Sequence, residues 1–450
     1  MICILHKILN ERKLLYMKVI MKKKYLNLLI LFYLFSITIG MSFFIYYRSA
    51  LVILVLLSFL LFGTFIIFDY SQTNLIISFG ILFNLFGLLY SNYYILENIT
   101  NPSYLNNTVF FSYFLSIISM ACFNIGYFSV PYLKNSFLKI EKINTKVVYL
   151  FLLFLFILSV LTEYYVIFIK IGFSSFFSSS RAHQSLLISQ YSSLTFYKSF
   201  FIIIAICTLL FYLNFKEKKY LYLFIGCFII NIFNTYVSVS RAEIFTFLLP
   251  IIYLLYIYKK ITTKQVIILA LLFFILFGAW KSVISSFKQN GEIKKENVVL
   301  SFDSEFNSWY KISENILDSD HQFLYGKSYL ETFYNLLIPI TKSEPLSKWY
   351  VRNYEFDVYI KGGGRGFSGV LEAYLNFGLI GNIIVFFLYG VLFKKISNYN
   401  NEISMIIFLI VIGSVYQLFR SESYSLWKTM YWFKIIPILI IFKISKRRYL

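Results

Sequence analysis

The chain has 450 residues, of which 59% are hydrophobic, 21% are aromatic and only 14% are charged. A soluble globular protein is about 45–50% apolar and about 25% charged, so this composition excludes both a water-soluble domain and a disordered chain. The net charge of +21 would suit a nucleic-acid-binding protein, but an excess of Lys and Arg on the cytoplasmic side of a membrane protein gives the same imbalance. We therefore expect a membrane protein and no nucleic-acid partner.

Apolar runs separated by polar or charged residues follow one another along almost the whole chain. Each is about 17–25 residues long, which is the length that crosses a bilayer as a helix. They predict an all-α, polytopic integral membrane protein with about 12 transmembrane helices. The predicted spans are residues 26–47, 51–68, 74–92, 109–130, 147–169, 196–214, 220–237, 242–258, 265–284, 368–392, 403–419 and 429–443.

The distribution of Lys and Arg predicts the orientation. With the N-terminus in the cytoplasm, 23 of the 42 Lys and Arg residues fall in the inner segments, as the preference for positive charge inside requires. Both termini are then cytoplasmic, and the one long hydrophilic segment faces outward. The predicted parts are a basic cytoplasmic segment (1–25), transmembrane helices one to nine (26–284), a large extracytoplasmic loop (285–366), helices ten to twelve (367–443) and a cytoplasmic tail (444–450).

Arginines recur at the outer turns of the second half of the chain, often among small residues. Small residues let a ligand approach the backbone, and the planar guanidinium group matches phosphate oxygens. The pattern predicts an outward-facing pyrophosphate or phosphate site. The alternative is structural pairing or interfacial anchoring of each arginine, for example of Arg241 with Glu243. The candidate substrate-binding residues are Arg181, Arg241, Arg365 and Arg420.

A carboxylate follows the glycine-rich turn around Arg365. Glu372 lies four residues beyond Ser368, a candidate helix cap, and so about one turn into the predicted tenth span. Ionisable groups at this depth are costly and usually functional. Glu372 is either a general base or the structural partner of a nearby arginine, and Glu372 and Arg365 are the candidate catalytic residues.

Several familiar catalytic and metal-binding motifs are missing from the sequence. It contains neither a GxxxxGK[ST] phosphate-binding loop nor an HExxH zinc motif, which argues against an ATP-driven transporter and a zinc enzyme. The four cysteines form no CxxC pair, so the chain predicts neither a zinc site nor a disulfide framework. No cofactor and no metal ion are expected.

The chain resembles the Wzy-type O-antigen and capsular repeat-unit polymerases. The resemblance rests on the 12-span plan, the late outer loop, the outer arginines, the stretch Ser240-Arg-Ala-Glu and the run from Gly362-Gly-Gly-Arg-Gly-Phe-Ser to Gly378-Leu-Ile-Gly. The related O-antigen ligases tend to carry a histidine near the end of the large loop, where this chain has Arg365 and Glu372. The resemblance thus favours a polymerase over a ligase.

The resemblance implies a metal-independent glycosyltransferase in the bacterial cytoplasmic (inner) membrane. Its substrates would be undecaprenyl-pyrophosphate-linked oligosaccharide repeat units of O-antigen or capsule, joined at the outer face of the membrane. Membrane lipid, a chain-length regulator and a flippase of the same pathway would be its further partners. The alternatives are an O-antigen ligase and a non-enzymatic flippase for lipid-linked oligosaccharides.

Overall fold

A computed structural model describes residues 51–73, 75–98, 106–133, 144–172, 187, 200–238, 241–272, 308–319, 321–338, 344–360 and 365–446. Within these ranges the protein is all-helical: 85% of the residues are in helices and none is in a strand. The all-α class predicted from the sequence is therefore confirmed. The predicted span 26–47 and the loop residues 285–307 lie outside the described ranges.

The first half of the described chain consists of long apolar helices. They are α1 (Leu51–Thr73), α2 (Phe79–Glu97), α3 (Asn107–Ser129), α4 (Thr145–Tyr164, continued by a π-helical stretch Tyr165–Gly172), α5 (Phe200–Phe215), α6 (Lys218–Ser238), α7 (Arg241–Ile257) and α8 (Thr263–Leu272).

Short helices precede the last long ones in the second half. They are α9 (Ser308–Leu317), α10 (Lys327–Leu337), α11 (Leu346–Tyr354) and α12 (Phe356–Ile360). The remaining helices are α13 (Gly369–Ser397), α14 (Glu402–Ile412), a 3-10 turn (Val415–Phe419), α15 (Ser423–Met430), a π-helical stretch (Tyr431–Ile435) and α16 (Ile436–Lys446).

Five of the described helical segments are long and apolar enough to cross a membrane. They are Phe79–Leu96, Asn107–Ser129, Thr145–Gly172, Gly369–Ser397 and Ser423–Ser445. Shorter apolar helices occupy several of the other predicted spans. The multi-pass character of the protein follows from these helices, whereas the count of about 12 spans and the outward position of the large loop remain predictions.

Polar caps explain where several helices begin. The side chain of Ser78 accepts a hydrogen bond from the backbone N–H of Ile81 (3.1 Å), so α2 begins at Phe79, later than the start of the predicted span 74–92. Asn106 caps α3 in the same way through the N–H of Val109 (2.8 Å). Such caps satisfy backbone donors that the helix itself leaves unpaired, and a hydropathy pattern does not show them.

Buried amides join α2 to α3. Asn84 and Asn124 exchange two hydrogen bonds, of 2.9 and 2.7 Å, and the hydroxyl group of Tyr113 donates to Asn92 (3.2 Å). Polar side chains inside a membrane protein usually find partners on neighbouring helices. These pairs fix α2 and α3 as antiparallel neighbours.

Helices α3 and α13 pack with their backbones in contact. A Cβ atom added at Gly126 would lie 2.1 Å from the carbonyl oxygen of Phe387, and one at Gly390 would lie 2.1 Å from that of Phe123. Small residues permit such close approach between membrane helices. Further along, Asn382 donates to Ser119 (2.9 Å) and Nζ of Lys394 lies 4.3 Å from the ring centroid of Tyr127. These two contacts advance in the same direction along both helices, so α3 and α13 run parallel.

Helix α13 is broken near its start, which corrects the prediction of one continuous span over 368–392. Phe377 and Gly378 have non-helical backbone angles, and Gly378 takes a φ of 62° and a ψ of −153°, a region nearly restricted to glycine. A Cβ atom at Gly381 would lie 2.1 Å from the carbonyl oxygen of Ala373. In a straight helix these residues would be about 12 Å apart, so the first arm (369–376) folds back on the second arm (379–397).

Helices α9, α11 and α12 cover the first arm of α13. The buried side chains that they share with it form a small core of their own, separate from the core of the long helices. Its buried members are Ile312, Ile316, Leu346, Tyr350, Val351, Phe367, Leu371 and Leu375. The first arm is thus held between the short helices and the long-helix bundle, and Glu372 lies on this arm rather than inside a straight span.

Candidate functional site

Glu372 is buried, with 1% of its surface exposed, and three donors hold its carboxylate. The hydroxyl groups of Ser328 and Ser423 both donate to Oε1 (2.7 Å each), and the backbone N–H of Ser423 donates to Oε2 (2.6 Å). A carboxylate has about four acceptor positions. Among the described residues, these three donors therefore leave about one position for another proton donor.

The donors come from helices that the chain brings together from distant positions. Ser328 is in the first turn of α10, and Ser423 is the first residue of α15, where the N–H group has no partner within the helix. The amide of Asn376 donates to Ser328 (2.8 Å), and the hydroxyl groups of Thr332 and Ser423 lie 3.0 Å apart. This network fixes both the position and the rotamer of Glu372.

Helix α10 turns its polar side inward and its apolar side outward. Its buried residues are Ser328, Thr332 and Asn335. Its exposed residues are Leu330, Phe333, Tyr334, Leu337 and, at its end, Ile338. A helix of a soluble protein has the opposite arrangement, whereas an outward apolar face suits contact with lipid. The arrangement suits a helix that lies at a membrane interface.

A cavity of about 320 Å³ opens beside Glu372 between α10, α11, α13 and the start of α15. Charged and aromatic side chains dominate its wall. The lining residues are Leu324, Lys327, Ser328, Glu331, Glu344, Leu346, Trp349, Arg352, Glu372, Glu422 and Tyr424. We call this cavity the Glu372 pocket. Its volume is at the lower end of the range for small-molecule sites, about 300–1,000 Å³.

Glu422 is a second buried carboxylate in the Glu372 pocket, with 2% of its surface exposed. It accepts hydrogen bonds from the hydroxyl groups of Ser425 and of Ser347 (3.0 Å). Burial raises the pKa of Glu422 above its ordinary value, and these hydrogen bonds oppose the shift. Sequence reasoning did not select Glu422, although it selected Arg420 two residues earlier.

The two cations of the pocket differ in their surroundings. Nη2 of Arg352 lies 2.9 Å from Oε2 of Glu344, in an ion pair of partly exposed side chains. Lys327 is exposed at the start of α10. Together they oppose the four carboxylates that line the pocket, so acidic groups outnumber basic ones.

The predicted site arginines occupy different places. Nε of Arg365, on a half-exposed side chain, donates to Oε2 of Glu355 (2.7 Å). Arg420 packs against Gly366, where an added Cβ atom would lie 3.0 Å from its Cγ. Arg181 and the side chain of Arg241 lie outside the described residues, although the backbone of Arg241 begins α7. Convergence of the arginines on one cavity therefore remains a prediction.

Comparison with known proteins bears on the whole chain. No curated protein and no solved structure matches it. A family model, O-antigen polysaccharide polymerase Wzy, matches residues 25–449, which includes every helix described above and all residues of the Glu372 pocket. The chain therefore belongs to the Wzy family of O-antigen polysaccharide polymerases, membrane proteins of polysaccharide biosynthesis.

Proposed function

We propose that the protein joins undecaprenyl-pyrophosphate-linked oligosaccharide repeat units by glycosyl transfer at the outer face of the bacterial cytoplasmic membrane. The observation that carries this proposal is the Glu372 carboxylate, which three hydrogen bonds hold at the wall of a polar pocket. Family membership supports a polymerase. The pocket adds a place where an acceptor sugar would meet a fixed proton acceptor.

In the proposed reaction, a hydroxyl oxygen of the acceptor sugar attacks the anomeric carbon of the donor glycan. A new glycosidic C–O bond forms while the bond from that carbon to the pyrophosphate oxygen breaks. Undecaprenyl pyrophosphate leaves with the bonding electron pair, and the hydroxyl proton passes to Glu372. General base catalysis of this kind contributes about 10²–10⁴ to a rate.

The leaving pyrophosphate needs positive charge as its bond breaks. We assign this role to the arginines Arg181, Arg241, Arg365 and Arg420. Arg365 shortly precedes the first arm of α13 in the chain, and Arg420 packs against the neighbouring Gly366. Because guanidinium groups carry the charge, we expect chain extension by the purified protein to continue in the presence of a metal chelator. Loss of activity on chelation, restored by a divalent cation, would contradict the metal-independent assignment.

The base is tested by Glu372→Gln. The amide oxygen of Gln can accept the fixed N–H of Ser423, and its NH₂ group can donate to the two serine hydroxyl groups, which rotate. The variant should therefore fold, while its chain-extension rate falls by about 10²–10⁴. Purified protein is assayed with lipid-linked repeat units, and membrane abundance is measured alongside.

Glu217→Gln is the matched control, since Glu217 pairs with Lys219 far along the chain from the pocket. It should keep normal turnover. An abundant Glu372→Gln protein with normal turnover would remove Glu372 from the mechanism.

The class of activity is tested by the surface glycan of a deletion strain. Loss of a polymerase leaves single repeat units on the cell surface. Loss of a flippase leaves no surface glycan, and loss of a ligase leaves polymer that is not attached to its final acceptor. Either of the last two results would replace the polymerase proposal.

A further inference from the structure

We propose that the Glu372 pocket binds the acceptor sugar of the repeat unit and selects a neutral or amino-bearing ring over an acidic one. This inference rests on the proposed function, because it takes the occupant of the pocket to be a sugar. It goes further in naming the class of sugar that is joined.

The size and walls of the pocket fit one end of a glycan. A volume of about 320 Å³ is small for a whole oligosaccharide but sufficient for a terminal ring. Trp349 and Tyr424 line the pocket and supply aromatic surface with a polar edge. Ser328 and the carboxylates supply acceptors for sugar hydroxyl groups.

The charges of the pocket favour one class of ring. Glu344 and Arg352 neutralise each other at 2.9 Å, which leaves Glu331, Glu372 and Glu422 against Lys327. Lys327 is exposed, so water screens its charge, whereas Glu372 and Glu422 are almost completely buried. With these carboxylates ionised, the interior of the pocket carries net negative charge.

An acidic sugar would bring a further carboxylate into this interior. Like charges brought together out of water repel strongly, and the new carboxylate would also lose its hydration. A neutral ring avoids both costs and can donate its hydroxyl hydrogens to the carboxylates. An ammonium group on the ring would gain attraction as well.

Three methyl glycosides with one ring and different charges test the proposal: methyl glucoside, methyl glucosaminide and methyl glucuronide. Their binding to the purified full-length protein is measured by saturation-transfer NMR titration. We expect the glucosaminide to bind at least as tightly as the glucoside. The dissociation constant of the glucuronide should be at least about tenfold higher, a ratio that corresponds to about 1.4 kcal/mol.

Variants locate the selection in this pocket. Glu331→Gln and Glu422→Gln should each reduce the ratio of the glucuronide dissociation constant to that of the glucoside. Trp349→Ala should weaken the binding of all three probes. Glu217→Gln, outside the pocket, should leave this ratio of dissociation constants unchanged. The wild-type order of affinities is itself a test that does not depend on any variant folding.

Equal affinity for the three probes, tighter binding of the glucuronide, or no binding of any probe would overturn the proposal. The proposal would also be overturned if Glu331→Gln and Glu422→Gln both folded and both kept the wild-type ratio of the glucuronide and glucoside dissociation constants. If the order of affinities is wrong while chain extension is normal, the selection is refuted and the polymerase proposal stands. If the order holds while chain extension is absent, the sugar pocket stands and the polymerase proposal is refuted.

Discussion

The carboxylates of the Glu372 pocket differ in how the surrounding residues hold them. Glu372 meets one rigid donor, the backbone N–H of Ser423, and two hydroxyl groups that can reverse their roles. Glu422 meets hydroxyl groups of Ser347 and Ser425. Glu→Gln substitutions at these two positions can therefore remove the negative charge while keeping most hydrogen bonds. Such variants distinguish a chemical role of the carboxylate from a structural one.

Glu422 should make sugar selection depend on pH. Because burial raises its pKa, the carboxylate takes up a proton at a higher pH than a solvent-exposed glutamate, whose pKa is about 4.3. Its negative charge is present above the raised pKa and is lost as the pH falls through it. The charged and titratable side chains that share the pocket with it are Lys327, Glu331, Glu344, Arg352, Glu372 and Tyr424.

We expect the affinity for methyl glucuronide to rise as the pH is lowered from neutral, with little change for methyl glucoside. The measurement is the same titration repeated along a pH series. In Glu422→Gln the rise should be much smaller. An identical profile in wild type and variant would show that another group controls the response.

Glu372 could be selected from the sequence because a lone carboxylate in an apolar run is conspicuous. Glu422 could not, since it stands among Ser421, Ser423 and Ser425, where it resembles an ordinary turn residue. Its burial results from α11, which supplies Ser347 from 75 residues earlier. Contacts between residues so far apart in the chain depend on tertiary packing, which a local sequence pattern does not show.

Among the helices, the break in α13 decides where the site lies. Hydropathy predicted an apolar helix here correctly, but the Gly378-Leu-Ile-Gly381 spacing is also typical of a surface for packing between membrane helices. Instead Gly378 reverses the chain and Gly381 admits the carbonyl group of Ala373. Both uses of glycine give the same sequence, so the sequence alone does not distinguish them. The sequence of α10 is ambiguous in the same way. Its pattern shows that one side is polar, but it does not show whether that side faces water or a pocket.

Gly378→Ala should destabilise the folded protein by about 1–3 kcal/mol, the usual cost of a strained backbone conformation. Gly381→Ala should be at least as harmful, since its methyl group has no room beside the carbonyl oxygen of Ala373. Both should also reduce chain extension, because the first arm carries Glu372. Thermal unfolding in detergent and turnover per folded molecule are the measurements.

Gly63→Ala is the control for this pair. An added Cβ atom at Gly63 meets nothing within 4 Å, and Ala is favoured over Gly in a helix by about 1 kcal/mol. This variant should be as stable as wild type or slightly more stable. If Gly378→Ala behaved like Gly63→Ala, the break at Gly378 would not depend on its positive φ.

Across the helix bundle, a buried ion pair joins several helices at the far end of α13. Nζ of Lys394 lies 3.9 Å from Oδ1 of Asp69, with both side chains buried, and 4.3 Å from the ring centroid of Tyr127. Ser78 donates a hydrogen bond to Asp69. The pair connects α1, α3 and α13 at a point about 24 Å along the second arm from Gly378.

Lys394→Met should destabilise the protein by about 3–5 kcal/mol, because it leaves a buried carboxylate without its cation. The double variant Asp69→Asn/Lys394→Met should recover most of this loss. Lys395→Met, on the exposed neighbour, is the control and should melt like wild type. A single variant that melts no earlier than the control would mean that the pair contributes little to stability.

The order in which the chain is made has a consequence for the Glu372 pocket. Its walls come from residues 324 to 424, and Ser423 supplies two of the three donors to Glu372. During synthesis, Glu372 enters the membrane region 51 residues before Ser423. An unpaired carboxylate is costly in an apolar medium, and until α15 is in place Glu372 lacks the two donors of Ser423. A nascent chain accordingly has no finished pocket before its final helices are in place.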